Sequence, residues 1–257
     1  MHLIAITNDD GIHSPGLRAV VEAVLPLGEV IVIAPSSQQT SSGRSIKGNK
    51  RERFHRLDYR VKGKRIRAYH CECSPARVVL HATDILFADR RPDLLISGIN
   101  YGENLGSNIT ISGTIGAALQ AVSSEIPSLA VSVHTKLEDH FNHPSMDWKV
   151  ARYFTHHFAK MMLRKKMPVD VDILNVNIPA TATIKTPWKL TRLSRQPYFV
   201  NHLRNPSIKS RIGDAKVGHG FDVATLEPDS DILVFTQGIV SVTPVSMDMT
   251  SRGSFKL

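Results

Sequence analysis

Leu3-Ile4-Ala5-Ile6-Thr7-Asn8-Asp9-Asp10-Gly11-Ile12 decides how the rest of the chain is read. Four apolar residues form a buried strand, and the chain turns at once into Ser14-Pro15-Gly16-Leu17. Ser14 suits an N-cap and Pro15 the first turn of a helix, so strand, loop and helix follow one another within a few residues. In parallel α/β sheets, ligands bind beyond the carboxyl ends of the strands, where this loop lies. Two adjacent carboxylates repel each other unless a cation or a shared proton neutralises them. A hard divalent cation held by oxygen donors is the simplest partner. The plain alternative is a solvated Asp-Asp-Gly turn.

Working outward, a helix over residues 15–25 leads to a second strand over 29–34. A helix between two β-branched runs is the signature of a parallel sheet. Pro35 ends that strand, and Ser36-Ser37-Gln38-Gln39-Thr40-Ser41-Ser42-Gly43 follows as an oxygen-rich loop. It leaves a strand end, so it can lie beside Asp9 and Asp10; a flexible linker is the other reading. Residues 53–61 and 65–72 flank Lys62-Gly63-Lys64 as a hairpin. Ser74-Pro75 caps a helix whose apolar face is Val78, Val79, Ala82, Ile85 and Leu86. A strand over 93–98 empties into Ile99-Asn100-Tyr101-Gly102-Glu103-Asn104-Leu105-Gly106. Ser112-Gly113-Thr114 then opens an alanine-rich helix, where hydroxyls and free N–H groups suit a phosphate or a simple N-cap equally. The pattern continues with a strand at 128–133, a polar connection at 134–144, an amphipathic helix at 146–165 and a strand at 172–178. Residues 185–220 are basic and β-prone, an extended arm rather than sheet core, and 238–244 returns to a strand. No internal repeat is visible.

The composition fits a water-soluble α/β protein. Of 257 residues, 42% are hydrophobic and 21% charged, ordinary for a globular chain. No apolar run approaches the ~20 residues of a membrane span. Neither a signal peptide nor a disulfide scaffold is expected, and the reducing cytoplasm is the expected location. Cys71 and Cys73, beside His70, lack a second cluster with zinc spacing and read as strand residues. The net charge of +9 is concentrated: residues 50–67 hold nine basic and two acidic side chains, and 185–216 hold eight and one. Such stretches bind nucleic acid, steer an anionic substrate, or face an acidic partner surface. No recognised nucleic-acid motif accompanies them, so that partner is not favoured.

Asn8-Asp9-Asp10-Gly11-Ile12, Ala34-Pro35 with its hydroxyl-rich loop, Ser97-Gly98-Ile99-Asn100, Ser112-Gly113-Thr114 and Ser241-Val242-Thr243-Pro244 occur in this order. Together they resemble the stationary-phase survival protein SurE family of metal-dependent nucleoside-monophosphate phosphatases, over almost the whole chain. The resemblance implies a Rossmann-like, mostly parallel sheet flanked by helices over residues 1–178. It also implies a smaller β-rich extension over 179–257 that builds a homodimer or homotetramer, with strand 238–244 packing back on the core. Asp9 and Asp10 take the catalytic and metal-binding positions. Thr40 and Asn100 complete the ligands of a Mg²⁺ or Mn²⁺ ion, and Asn8, Asn100, Ser112, Gly113 and Thr114 hold the substrate phosphate. The expected activity is hydrolysis of nucleoside 5′- or 3′-monophosphates. Three positions depart from the family pattern: Thr40 replaces a serine, with Ser41 adjacent as an alternative hydroxyl. Arg77 stands where an acid is usual, and Ser246 where many members carry a histidine. A haloacid-dehalogenase-like phosphatase is a rival reading, although its Asp-x-Asp spacing is absent. The rival from another class is a non-catalytic nucleotide- or RNA-binding protein that uses the basic arms.

Overall fold

The computed structural model describes residues 1–251 and 253. Eleven strands and five α-helices follow in the order β1 His2–Thr7, α1 Pro15–Val24, β2 Gly28–Pro35, β3 His55–Val61, β4 Lys64–Cys71, α2 Pro75–Ile85, β5 Leu94–Tyr101, α3 Gly113–Val122, β6 Ser128–Val133, α4 Lys149–Arg164, β7 Ile173–Ile178, β8 Trp188–Leu190, β9 Phe199–His202, β10 Lys216–His219, α5 Asp231–Thr236 and β11 Val240–Val245. Nine strands form one sheet in the order β3-β4-β2-β1-β5-β6-β7-β11-β8, and β9 and β10 form a separate pair. From β4 to β7 every neighbour is parallel. β3 and β11 run antiparallel to β4 and β7. Among the described residues, no helix is long and apolar enough to cross a membrane.

The central strands are covered on both faces, which demands unbroken apolar runs. In β1, Ile4 and Ile6 join one core with α1 and α4, through Leu17, Val20, Phe154 and Phe158. Leu3 and Ala5 point the other way, into a core with α2 and α3 that includes Val78, Val79, Ala117 and Ala121. Gly16 lets α1 approach β5 closely: a Cβ there would fall 2.1 Å from the Ile99 carbonyl oxygen. β1 lies between β2 and β5, and the connections leave it in opposite directions. The loops after β1 and β5 therefore flank the switch point, where a crevice opens at the strand ends.

Two expectations need correction. The helical spacing puts Ile85 on the buried face of α2, yet it is 56% exposed. The chain leaves the helix there, and Phe87, whose N–H donates to the Ala82 carbonyl, fills that core instead. The basic segment 185–220 is not wholly an arm outside the sheet. Its residues Trp188–Leu190 are the edge strand, parallel to β11, too short and exposed to show periodicity in sequence. The rest forms the β9–β10 hairpin, anchored by a small core of Leu105, Tyr198, Leu226, Ile232 and Phe235.

Candidate active site

The Asp9-Asp10 loop is shaped by its glycine. Gly11 has φ of +95°, and a Cβ on it would lie 3.1 Å from the Ser37 backbone, so a side chain would meet both strain and crowding. The turn is stitched to the end of β2 by Ile12 N–H donating to the Pro35 carbonyl (2.9 Å), and Gln39 N–H donates to the Asp9 carbonyl (2.7 Å). Asn8 braces it from inside, its Nδ2 donating to the Gly11 carbonyl at 3.1 Å.

Both carboxylates are buried, at 5% and 6% exposure. Asp9 Oδ1 accepts from the Thr114 hydroxyl at 2.6 Å, and the Thr114 backbone N–H also donates to this carboxylate. The amino-terminal end of α3 thus points at Asp9, where its partial positive charge favours an anion. Even so, burial and then the Asp10 charge push the Asp9 carboxyl up to about 7. Asp10 is raised as well, chiefly by burial, with His143 pulling it back. Its Oδ1 lies 3.3 Å from His143 Nε2 and accepts from Gln38 Nε2 at 3.3 Å. The Tyr101 backbone N–H donates to the same carboxylate. That bond brings the end of β5 to Asp10, with half-buried Asn100 beside it. Asn100 commits its Nδ2 to the Gly102 carbonyl (2.7 Å), which leaves its Oδ1 as an acceptor.

The expected phosphate-holding residues divide by role. Ser112 is the N-cap of α3, its hydroxyl accepting from Ile115 N–H at 3.1 Å. Gly113 is where the chain comes closest: a Cβ would sit 2.7 Å from both Asp9 Oδ2 and Ser42 Oγ. Those two oxygens are therefore no farther apart than twice that distance. The hydroxyl-rich loop is laid over α3 by Gly43 N–H donating to the Ile111 carbonyl. Gly116 makes room for it, since a Cβ there would meet the Gly43 carbonyl oxygen at 2.0 Å. As a result Ser42 faces Asp9, while Thr40 and Ser41 lie exposed.

Position 246 is far from this chemistry. Val245 pairs with Ile173, the first residue of β7, so Ser246 lies at the amino-terminal end of the parallel strands, 3.5 Å from Asp172 Oδ2. A histidine there would stand at the opposite end of the sheet from Asp9 within one chain. Arg77 lies in the first turn of α2 and lines a separate cavity of about 230 Å³ with Cys71, Cys73 and His81. Gln38, His140 and His143 join the site although no sequence motif marks them. Gln38 Nε2 donates to Asp10 and to the His140 carbonyl (2.7 Å), and the His143 ring packs 4.8 Å from Tyr101. Three histidines between residues 134 and 143, in a chain with twelve, were the available signal.

The donor set suits a hard cation. Asn8 Oδ1, Asp10 Oδ2 and Ser42 Oγ are buried oxygens without a hydrogen-bond partner, which is costly unless something else meets them. Among the described residues, no group of three or more His, Cys, Asp and Glu side chains is arranged for a metal. Two carboxylates completed by neutral oxygens are the kind of set that magnesium or manganese takes.

A doubly covered, mostly parallel sheet, with buried carboxylates at its switch point facing a helix amino terminus, defines a Rossmann-like α/β protein. The chain matches the family model described as Survival protein SurE over residues 4–199, and it belongs to that family. It is 42% identical over 255 residues to the 5′-nucleotidase SurE of Methanocella arvoryzae, covering 96% of this chain and 93% of that one. It is 38% identical over 261 residues to the 5′-nucleotidase SurE of Thermococcus kodakarensis, covering 98% and 95%. The crystal structure of the SurE protein from Aquifex aeolicus superposes with a TM-score of 0.76 at 27% identity, over 97% of this chain and 95% of that one.

Proposed function

We propose that this protein is a phosphomonoesterase that hydrolyses nucleoside 5′- or 3′-monophosphates to nucleoside and phosphate with Mg²⁺ or Mn²⁺. The observation that carries the reading is the buried Asp9–Asp10 pair facing the start of α3. It is supported by the curated relatives named 5′-nucleotidase.

Asp9, Asp10 and Asn100 would hold the cation, with one hydroxyl from the 36–43 loop. The resemblance points to Thr40 for that hydroxyl, while the geometry favours Ser42. When bound, the cation supplies charge stabilisation on the phosphoryl oxygens and favours ionisation of the attacking water. The residues of the chain do the rest. The N–H groups at the start of α3 hold non-reacting phosphate oxygens, as helix amino termini do. Asn8 fixes the turn that presents both acids. His143 and Gln38 orient Asp10, which leaves a carboxylate oxygen to take the proton of the water.

The β-rich residues 179–257 serve assembly into a homodimer or homotetramer in the cytoplasm. Supporting this, Ile208 and Ile212 are fully exposed between β9 and β10, and Trp188 and Leu190 are exposed on the sheet edge. The basic hairpin β3–β4 is partly neutralised, Asp58 pairing with Arg60 and Arg65 and Glu29 with Arg67 and Arg90, which weakens the case for nucleic acid. Phosphate release from AMP, with and without excess EDTA, tests the proposal. Turnover abolished by EDTA and restored by Mg²⁺ or Mn²⁺ is expected. Tight AMP binding without turnover would favour the non-catalytic reading.

A further inference from the structure

Three rings form a cluster that reaches the acidic pair through His140, whose carbonyl is joined to Asp10 by Gln38. Phe199, the first residue of β9, pairs across the hairpin with His219, the last of β10. Their rings lie 5.8 Å apart at 20°. His140 sets its ring edge-on to Phe199, at 6.0 Å and 78°.

Two bridges fix these rings relative to the chemistry. The backbone of Phe199 is clamped by one side chain: its N–H donates to Asn108 Oδ1 at 2.8 Å, and its carbonyl accepts from Asn108 Nδ2 at 3.1 Å. Asn108 lies in the 3-10 turn Ser107–Ile111 that runs directly into Ser112 and α3. On the other side, His140 is tied through its carbonyl to Gln38, and Gln38 to Asp10. The rings and the acids are therefore joined by one chain of hydrogen bonds and ring contacts.

Tyr198 turns inward to the small core with Leu105, Ile232 and Phe235, and its hydroxyl donates to buried Glu103 at 2.9 Å. Phe199 packs along the rim of that core, edge-on to Tyr198 at 4.7 Å, and stays half-buried. His219 is exposed, and Phe141, next to His140, is 68% exposed. Aromatic surface left open beside a phosphate site needs an occupant with flat apolar faces, and every nucleobase has them.

We infer that Phe199, backed by His219, is the platform on which the nucleobase stacks while the phosphate lies against Asp9, Asp10 and the start of α3. The inference rests on the phosphatase reading above and extends it to the base. Stacking does not read base edges, so the platform accepts purines and pyrimidines and discriminates against phosphate esters that carry no base.

The test compares AMP, UMP and ribose 5-phosphate, which keeps the sugar and phosphate but lacks the base. Wild type should favour both nucleotides over ribose 5-phosphate in kcat/KM. Phe199→Leu keeps an apolar side chain without a π face. It should raise KM for AMP and UMP by roughly 5- to 100-fold, as stacking energies translate, leaving kcat and ribose 5-phosphate hydrolysis unchanged. Phe199→Trp should keep the nucleotide preference. An equal loss on all three substrates would show a structural role only and overturn the inference, as would no loss on any or a wild type indifferent to the base. If wild type hydrolyses none of them, the phosphatase reading fails separately. AMP affinity measured by calorimetry on the same variants then decides: weaker binding by Phe199→Leu supports the platform, and unchanged binding overturns it.

Discussion

The Thr114 hydroxyl donates to Asp9 Oδ1 across 2.6 Å, joining the loop after β1 to the first turn of α3. The bond lets a carboxylate sit beside a second one in a buried place. It lowers the Asp9 pKa but does not outweigh burial and the Asp10 charge, which leave that carboxyl at about 7.

A stability prediction follows from that balance. A carboxyl at about 7 when folded and 3.8 when unfolded binds its proton more tightly in the folded state. Stability of the cation-free protein therefore falls as pH rises from about 4 to about 7, and the loss is complete above that range. In EDTA at pH 8, Asp9→Asn should be more stable than wild type by on the order of 1–4 kcal/mol, since each pKa unit is worth ~1.4 kcal/mol and the two acids share the effect. The same variant should be inactive and should lose the rise in Tm that Mg²⁺ gives to wild type. Paired melting curves with EDTA and with Mg²⁺ check this. A variant no more stable than wild type in EDTA would show that Asp9 is not strained by burial.

The loop hydroxyl can be assigned by metal titration. Ser42→Ala should raise the half-saturating Mg²⁺ or Mn²⁺ concentration by about tenfold, equivalent to ~1.4 kcal/mol. Thr40→Ala and Ser41→Ala should shift it little, because both side chains lie exposed. If Thr40→Ala produces the larger shift, the loop rearranges around the cation and the position implied by family resemblance is the donor.

Gly113→Ala should fold and fail. A methyl there would meet Asp9 Oδ2 and Ser42 Oγ at 2.7 Å, so one or both must move. Displacements of that size in an active site cost roughly 10- to 100-fold in rate. Circular dichroism should be unchanged while kcat/KM falls. Wild-type activity in this variant would mean that Asp9 has room to spare.

Ser246→His restores the residue common in the family. Because position 246 lies at the amino-terminal end of the parallel strands, beside Asp172, kcat should not change. An increase in kcat would require that residue to reach the acids of another subunit, and a mass measurement on the same sample would identify the assembly.

The layout of the sheet was legible because its signals are local. β1, β2 and β5 each carry a short apolar run, with Gly28 and Pro35 at the ends of β2 and Pro92 shortly before β5, and the acids and the amide stand at the ends of β1 and β5. What could not be read depends on distant contacts. Thr40, Ser41 and Ser42 lie in a loop without periodicity, and which hydroxyl turns inward is set by Gly113 and Gly116 of α3, more than seventy positions away. His140 and His143 lie in a polar connection whose course is fixed only when Gln38 and Asp10 are in place. Trp188–Leu190 is a three-residue edge strand with every side chain exposed, so no alternation marks it.

The candidate site draws on the ends of β1, β2, β5 and β6 and on the start of α3, five short stretches spread over more than a hundred residues of sequence. Half of this assembly has no meaning by itself. A refolding chain should therefore recover helical signal and much of its core before it recovers turnover, since loop closure over such separations is what slows folding. In this protein, turnover reports completion of the whole fold.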